Sequence, residues 1–453
     1  MDDQQKSPVI VIFGITGDLS KRKLLPALYH LLKEDLLPHD TKIIGTSRHD
    51  IVIDDLLGSV ELCVLEKDNV CDPGGIARLR AALQAFKLDP IEDSDYEALK
   101  HHLDELSAEN NHGDRIFYMS LPPSAYAPII ERLSQHGMND GRSRILLEKP
   151  FGYNETSAAE LIELVNHHYK EDQIYRIDHY LAKETAQNLL TFRMHNPIFT
   201  ALWARDHIDS VHIEAAEELG IENRANFYDK TGALRDLIQS HLMQLLALTL
   251  MDIPTRLNSH EIHLSKQYFL EQLMPASPHK AYRAQYNGYK AAVSNELSRT
   301  ETYAKIHLEH GAERWQGVDI ILETGKALPE KHTRITVQFK GHHGQPHNKL
   351  VFQVQPDEGI SLDLFVKQPG LENKMEKTLL DLTYDTAFEA GKHIDAYERV
   401  LVDAVRADQA LFASANEVMA TWRVLQPIID AWDTNGDGLM SYEVGSYPLF
   451  DES

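Results

Sequence analysis

The sequence predicts two domains: an α/β domain with a doubly wound, mainly parallel sheet, followed by an α+β domain with a large, mainly antiparallel sheet. The chain has 453 residues, which is enough for two or three domains of about 150 residues each. Up to about residue 186, short apolar runs alternate with helical periodicity, which is typical of a parallel sheet. Beyond it, several segments alternate apolar and polar residues, which is typical of antiparallel strands with one covered face.

The predicted N-terminal domain spans residues 1–186. Residues 9–13 form a continuous apolar, mostly β-branched run, as expected for a strand that is covered on both faces. Further strands are expected at 42–45, 116–121 and 144–148. Helices are expected between the strands, at about 21–33, 56–66, 76–84, 96–108, 126–136 and 156–169.

The predicted C-terminal domain spans residues 187–453 and contains a long helix at about 231–251. Strands with period-2 alternation are expected at 303–309, 318–323, 334–340, 350–355, 361–367 and 378–383. Two helices, at about 395–412 and 416–432, follow these strands. The proline-containing segment 274–279 is expected to be a surface loop.

Composition excludes several classes of function. Lys and Arg number 45 and Asp and Glu number 69, so the formal net charge is −24. We therefore expect neither nucleic acid nor a membrane as a partner, because both attract positive charge. The only cysteines, Cys63 and Cys71, cannot form a disulfide framework, which favours a reducing compartment. Residues 1–3 are acidic where a signal peptide would be basic, and no apolar run reaches a membrane-spanning length of about 18 residues. We expect a cytoplasmic protein.

A glycine turn with the sequence G-I-T-G-D-L joins the first predicted strand to the first helix. Glycines at this place let backbone N–H groups approach the pyrophosphate of a dinucleotide. The turn is shorter than a full G-x-G-x-x-G motif, so a tight connection without a ligand is the alternative. Its position as the first βα turn favours a Rossmann-like dinucleotide site. The candidate cofactor residues in it are Gly14, Thr16, Gly17, Asp18 and Leu19.

The end of the second strand indicates which dinucleotide binds. NAD sites carry an acid there, whereas NADP sites accommodate the 2′-phosphate with an arginine. Here the strand ends in Gly-Thr-Ser followed by Arg48, without an acid, and Lys21, Arg22 and Lys23 lie at the start of the first helix. Arg48 and Lys23 are therefore candidate cofactor residues, and NADP is favoured over NAD. The alternative for the basic cluster is a solvated start of the helix.

The segment 175–184, with the sequence Y-R-I-D-H-Y-L-A-K-E, is the most informative part of the chain. His179 and Lys183 are four residues apart, so a helix here would place both on one face. Together they could clamp a phosphate group, although a solvated helix is the alternative for the segment taken alone.

Residues 176–184 resemble the R-I-D-H-Y-L-G-K-E signature of the glucose-6-phosphate dehydrogenase family. The turn at 14–19, E-K-P-F-G at 148–152, R-D-L-I-Q-S-H-L at 235–242 and D-A-Y-E-R at 395–399 are similar to further motifs of this family, in the same order. The resemblance covers nearly the whole chain. Ala182 and Ser240 replace the family's usual glycine and asparagine.

The resemblance implies oxidation of D-glucose 6-phosphate to 6-phospho-D-glucono-1,5-lactone with NADP, the first step of the oxidative pentose phosphate pathway, with NAD as a weaker alternative. It implies that His241 is the base that takes the proton of the anomeric hydroxyl and that Asp178 stabilises the imidazolium. It also implies a homodimer or homotetramer built on the second sheet. The implied substrate contacts are Lys149, which also touches the cofactor, and His179, Tyr180, Lys183, Glu217, Asp236, Lys326 and Lys331.

Two other interpretations remain open at this point. A related two-domain sugar oxidoreductase would share the E-K-P motif but not the long signature at 176–184. A nucleotide-binding sensor on the same fold would be favoured by loss of His241 or Asp178, and both are present. A histidine with a carboxylate partner suits the removal of a hydroxyl proton at neutral pH.

No metal site is expected. Asp433 begins a D-T-N-G-D-G sequence that is similar to the start of a calcium-binding EF-hand loop, but the twelfth position is Val444, where a bidentate glutamate is required. The adjacent histidine pairs 101–102, 167–168 and 342–343 lack ligand spacing. The segment 442–448 partly resembles the family's C-terminal Y-x-x-G-S sequence, which some members use near a second, structural NADP.

Overall fold

The computed structural model describes residues 7–109, 113–341, 345–387, 394–434, 436 and 438–450. The acidic residues 1–3, the pair 342–343 and the residues Asn435 and Asp437 of the EF-hand-like turn lie outside the described residues. The chain forms two compact units. The first comprises Met1–Gly152, Ala159–Ala182 and Ile394–Ala415, and the second comprises Tyr153–Ala158, Lys183–His393 and Asn416–Ser453. Residues 394–415 thus lie in the first unit, whereas a single division after residue 186 would assign them to the second.

The first unit contains a seven-stranded sheet within the described residues. Its strands are β1 Val9–Phe13, β2 Lys42–Ser47, β3 Leu83–Lys87, β4 Arg115–Met119, β5 Ser143–Leu147, β6 Ile174–Ile177 and the short Phe412–Ala413. The order is β3-β2-β1-β4-β5-β6 with parallel pairing throughout, and Phe412–Ala413 runs antiparallel to β6 at the edge. This order is typical of dinucleotide-binding domains and reverses between β1 and β4. The predicted α/β class is confirmed.

Helices cover both faces of this sheet, and β1 is buried along its whole length. Ile10 and Ile12 belong to a core that includes Leu24 and Leu28 of the first helix. The helical segments are Ser20–Leu24 in π geometry, Leu25–Lys33, Ile53–Asp68, Pro73–Ala82, Asp93–Glu109, Pro123–Ala125, Tyr126–Gln135, Glu155–His168, Glu171–Gln173 and Ala396–Arg406.

Two boundaries in the first unit differ from prediction. The helix expected over 76–84 ends at Ala82, because Leu83–Lys87 pairs with β2 as a strand. Pairing with a neighbouring strand is a non-local contact that overrides the local periodicity. The helix expected over 395–412 ends at Arg406, where Ala407 adopts a left-handed conformation with φ of 59°.

The second unit contains a nine-stranded sheet within the described residues. Its strands are β7 Ile208–Ala216, β8 Ala281–Tyr286, β9 Tyr303–Leu308, β10 Asp319–Gly325, β11 His332–Phe339, β12 Lys349–Gln355, β13 Gly359–Lys367, β14 Met375–Thr383 and β15 Leu439–Tyr442. The order is β14-β13-β12-β11-β7-β10-β9-β8-β15. The pairs β7–β10 and β8–β15 are parallel and the others are antiparallel, which confirms the predicted mainly antiparallel sheet.

One helix of the second unit, the one expected over 231–251, differs from the prediction. The helical segments of this unit are Glu184–His195, Pro197–Thr200, Glu222–Arg224, Ala225–Ala233, Leu234–Leu242, Met243–Leu250, Ser259–Glu271, Pro278–Lys280, Tyr289–Ala292, Tyr384–Ala387 and Ala415–Thr434. The single helix expected over 231–251 is interrupted at Gly232 and continues as a π-helix over Leu234–Leu242. Among the described helices, none has the length and apolar character that crossing a membrane requires.

A fully buried ion pair connects three helices of the second unit. The Lys266 ammonium lies 2.8 Å from the Glu417 carboxylate, and both side chains are 0% exposed. The His263 ring contacts the other carboxylate oxygen at 2.7 Å, and Lys266 also donates to Gln244 at 3.2 Å. Burial alone would raise the pKa of Glu417, but the Lys266 charge and the hydrogen bond from His263 lower that pKa to about 2.

Removing one member of this pair tests its contribution to stability. Lys266→Met leaves a buried carboxylate without its cation, so we expect a loss of about 3–5 kcal/mol in the free energy of unfolding. The double variant Lys266→Met/Glu417→Leu should recover most of the loss, because it removes both charges. Denaturant unfolding measures both. A single-variant loss below about 1 kcal/mol would contradict this, since it would match an exposed pair.

The same pair predicts a pH dependence. The folded pKa of Glu417, about 2, lies below its ordinary value of 4.5. Its stabilisation is therefore present above about pH 4.5 and is lost as the pH falls towards 2. As the pH falls from about 4.5 towards 2, the unfolding free energy of the wild type should therefore decrease relative to that of the double variant.

Candidate active site

The glycine turn lies where the strand order of the first sheet reverses. Gly14 follows β1 with φ of +84°, and a Cβ atom on it would lie 2.6 Å from the carbonyl oxygen of Ser120, which follows β4. Its N–H donates to Thr46 at 3.2 Å, and its carbonyl accepts the Ser20 hydroxyl at 3.0 Å. Only glycine fits this position, because the chain after β4 packs directly against it.

Arg48 lies at the same edge of the sheet as the glycine turn. The strands β1 and β2 are parallel, with Phe13 opposite Thr46, so the residues that follow them meet at one edge. The exposed candidate cofactor residues here are Thr16, Asp18, Lys23 and Arg48, and Gly17 and Leu19 are half-buried. This edge offers open backbone and positive side chains, which suits a phosphorylated dinucleotide.

A second group of predicted residues follows β5 and β6. Lys149 lies two residues after β5, and Asp178, His179 and Tyr180 follow β6 directly. Parallel pairing of β5 with β6 brings them to the same edge as the glycine turn. Asp178 is 2% exposed, and its carboxylate accepts the N–H of Tyr180 at 3.0 Å.

The expected helix that would place His179 and Lys183 on one face does not form. Residues 178–183 form turns, and the following helix begins only at Glu184. The Asp178 carboxylate accepts from Tyr180, and the Asp178 carbonyl accepts from Leu181 at 3.1 Å. An aspartate in this role favours a turn over a continuing helix. Lys183 belongs to the second unit, where it precedes the helix Glu184–His195.

The sequence reasoning missed the side chain of Glu148. It accepts a hydrogen bond from the Tyr118 hydroxyl and lies 3.4 Å from Nε2 of His179. Burial raises the pKa of Glu148, but the charge of His179 and the hydrogen bonds from His179 and Tyr118 outweigh it, so this pKa lies below its usual range. Glu148 is the first residue of the E-K-P-F-G motif, in which only Lys149 was predicted as a site residue.

In the second unit, three predicted residues meet at one edge of the sheet. Glu217 follows β7 and Lys326 follows β10, and these strands are parallel with Ala216 opposite Gly325. The Lys326 ammonium pairs with the Glu217 carboxylate and lies 5.1 Å from the centre of the Tyr228 ring. Lys331 precedes β11, which is antiparallel to β7, so it lies at the same edge.

Asp236 and His241 lie on the π-helix Leu234–Leu242, which packs against β7 and β10. They are five residues apart, which in an α-helix would separate them by about 140° around the axis. A π-helix bonds residue i to residue i+5, so the two side chains lie about one turn apart on a common face. They are 8% and 6% exposed. The α-helix predicted here would not place these two side chains on one face.

A glycine and a buried acid define the start of this π-helix. Gly232 has φ of 69° and ψ of 176°, a conformation open almost only to glycine. The Glu301 carboxylate accepts the N–H of Leu234 at 3.0 Å, and the Glu301 carbonyl accepts the N–H of Ala233 at 3.0 Å. Burial raises the pKa of Glu301. Neither residue was among the predicted functional residues.

Two parts of the chain match the two domains of one known family. Residues 11–188 match the family described as glucose-6-phosphate dehydrogenase, NAD binding domain, and residues 190–448 match its C-terminal domain. The chain belongs to the glucose-6-phosphate dehydrogenase family. Membership confirms the resemblance that the motifs indicated, and the chain is a dehydrogenase with a Rossmann-type N-terminal domain.

Individual relatives match over nearly the full chain. The glucose-6-phosphate 1-dehydrogenase of Gluconobacter oxydans is 38% identical, over 98% of this chain and 95% of the relative. That of Aggregatibacter actinomycetemcomitans is 36% identical, over 97% and 93%. A solved structure of a glucose-6-phosphate dehydrogenase in complex with its substrate glucose 6-phosphate is 32% identical, with a TM-score of 0.93, over 99% of this chain and 96% of that one.

Gly232→Ala tests whether the start of the π-helix matters for activity. The added Cβ would lie 2.3 Å from the Glu301 carboxylate in a strained conformation. We expect a loss of about 1–3 kcal/mol or more in unfolding free energy, together with a fall in turnover. Denaturant unfolding and steady-state assays measure these changes.

Gly137→Ala is the matched control. Gly137 has φ of +67°, close to that of Gly232, but open space where its Cβ would lie. It should lose stability through backbone strain alone, by about 1–2 kcal/mol, and keep its turnover. Equal losses of turnover in the two variants would show that the Glu301 contact does not position the π-helix.

Proposed function

We propose that the chain is a glucose-6-phosphate 1-dehydrogenase that oxidises D-glucose 6-phosphate to 6-phospho-D-glucono-1,5-lactone with NADP as the hydride acceptor. The observation that carries this is the common face of Asp236 and His241 on the π-helix, packed against the strands that end at Glu217 and Lys326. It provides a proton acceptor beside hydrogen-bonding and cationic groups. The family membership supports the assignment, as does the related solved structure, which is a complex with glucose 6-phosphate.

His241 is the proposed general base. Oxidation of the hemiacetal removes the proton of the anomeric hydroxyl as C1 loses a hydride, and an imidazole accepts a proton near neutral pH. Asp178, by its match to the family motif, is proposed to stabilise the imidazolium that forms. Its carboxylate is buried in the first unit and accepts a hydrogen bond from the N–H of Tyr180.

The remaining substrate residues divide by chemistry. Asp236 and Glu217 are proposed to accept hydrogen bonds from sugar hydroxyls. His179, Tyr180 and Lys183 are proposed to bind the phosphate, since a doubly charged phosphate requires several hydrogen-bond donors and positive charges. Lys149 is proposed to contact both the sugar and the cofactor, and Lys326 and Lys331 are two further proposed substrate contacts.

The residues at the edge of the first sheet fit a dinucleotide. The glycine turn follows β1 directly and precedes the first helix, and Arg48 is exposed at the same edge of the sheet. We propose that the turn at 14–19 holds the pyrophosphate and that Arg48 and Lys23 contact the 2′-phosphate, with Lys149 facing the reactive end. Arg48 is the reason to propose NADP over NAD.

The proposal also covers the oligomeric state of the protein and its location in the cell. The edge strand β14 exposes Met375, Leu379, Leu380 and Leu382, and an exposed apolar edge supports a homodimer or homotetramer formed on this sheet. The two cysteines are free, which supports a cytoplasmic location.

The direct test is an assay of the purified protein with glucose 6-phosphate. NADP should be reduced, with a rise in the absorbance of the reduced nicotinamide. Absence of reduction of both NADP and NAD at high substrate concentration would overturn the proposed function. Faster oxidation of an unphosphorylated sugar would indicate the alternative sugar oxidoreductase.

His241→Asn tests the proposed base. Asparagine cannot accept a proton at neutral pH, so turnover should fall by at least about 10²–10⁴-fold. Calorimetry should show that glucose 6-phosphate still binds. The exposed His260 provides the control His260→Asn, which should keep normal turnover. Near-normal turnover of His241→Asn would refute the assigned role.

Arg48→Ala tests the choice of cofactor. The variant should weaken NADP binding by about 10-fold or more, because it removes a charged hydrogen bond to the 2′-phosphate. NAD lacks this phosphate, so its KM should change little. Arg80→Ala removes an exposed arginine elsewhere in the first unit and should affect neither cofactor. An equal effect of Arg48→Ala on NADP and NAD would show that Arg48 does not contact the 2′-phosphate.

A further inference from the structure

A line of contacts crosses three neighbouring strands of the first unit. Tyr118 lies in β4, Glu148 is the first residue after β5, and His179 is the second residue after β6. The Tyr118 hydroxyl donates to the Glu148 carboxylate, whose other oxygen lies 3.4 Å from Nε2 of His179. Parallel pairing of β4, β5 and β6 brings these three side chains to one edge.

Glu148 is fixed through its backbone as well as its side chain. The Tyr126 hydroxyl donates to the Glu148 carbonyl at 3.1 Å and accepts from the Glu148 N–H at 3.2 Å. The Glu148 side chain is 13% exposed. Two buried tyrosines therefore hold one acidic residue in place, and its remaining contact is with His179.

The Glu148 carboxyl is ionised. Burial opposes ionisation, but the His179 charge and the hydrogen bonds from His179 and Tyr118 lower the pKa of Glu148 below its ordinary value, and Lys149 acts in the same direction. An ionised carboxylate only accepts hydrogen bonds. Nε2 of His179 must therefore carry the hydrogen of this contact.

The ring of His179 is held on a second side. It packs against Tyr397, with the ring centroids 4.1 Å apart and the planes inclined by 35°. Its Nδ1 atom is buried and has no hydrogen-bond partner among the residues that the structure describes. The packing against Tyr397 and the contact with Glu148 therefore hold the ring from two sides.

We propose that Glu148 is a positioning residue that, through its contact with Nε2, holds the His179 ring in the orientation in which it meets the phosphate group of the substrate. The Tyr118 and Tyr126 hydroxyls fix Glu148 in turn, so the orientation of His179 depends on a chain of contacts across three neighbouring strands. The inference rests on the proposed function, in which His179 contacts the phosphate.

Glu148→Gln tests this role because it keeps the shape of the side chain and removes the charge. The KM for glucose 6-phosphate should rise by about 10–100-fold, the usual cost of losing a charged hydrogen bond, while kcat changes little. Oxidation of unphosphorylated glucose should keep its kcat/KM, since it places no phosphate beside His179.

A second variant separates loss of the carboxylate from loosened packing. Tyr126→Phe removes the contacts of the Tyr126 hydroxyl with the backbone of Glu148 but keeps the carboxylate and its contact with His179. Its KM for glucose 6-phosphate should rise much less than that of Glu148→Gln.

Two further variants keep the test decisive if Glu148→Gln folds poorly. Tyr118→Phe removes a donor to the carboxylate and should change KM in the same pattern. In a His179→Asn background, Glu148→Gln should add no further loss of phosphate recognition.

Equal losses for glucose and glucose 6-phosphate, or an unchanged KM for glucose 6-phosphate in Glu148→Gln, would overturn the role of Glu148. A wild-type protein that does not oxidise glucose 6-phosphate at all would overturn the proposed function instead.

Discussion

Parallel pairing of neighbouring strands is the constraint on which the candidate site residues of each unit depend. In the first unit it delivers the glycine turn, Arg48, Lys149 and Asp178 to one edge of the sheet. In the second unit, the parallel pair β7–β10 does the same for Glu217 and Lys326. If β10 ran antiparallel to β7, Lys326 would lie a strand's length away, roughly 20 Å for seven residues. The ion pair of Glu217 with Lys326 depends on strand direction.

A second constraint is the hydrogen-bond register of the helix that carries the proposed base. The π register brings Asp236 and His241, five residues apart, to one face. π-Helices are rare and are frequently found at functional sites. Here the positive φ of Gly232 and the buried Glu301 define where the register begins. Two residues that are not among the proposed substrate contacts thus help to decide where the proposed base lies.

The distribution of charge also has a structural basis. The net charge of −24 would disfavour anionic ligands if it were spread evenly. Instead, two of the proposed substrate groups lie beside acids, Lys326 beside Glu217 and His179 beside Glu148. These contacts help to hold the two basic side chains in place. An acidic chain can therefore present ordered positive groups to a small anion.

The sequence by itself determined the fold class of both domains, the family, the glycine turn and most strands, because periodicity and motifs are local properties of the chain. Only the tertiary structure decided the features that depend on non-local contacts. Pairing with β2 made Leu83–Lys87 a strand. Hydrogen bonds within a turn prevented a helix that would contain both His179 and Lys183. Glu301 capped a π-helix that lies more than 60 residues away in the sequence. Residues 394–415 likewise joined the first unit through pairing with β6. No local pattern encodes which distant group will complete a buried hydrogen bond, and such bonds set the geometry of this site.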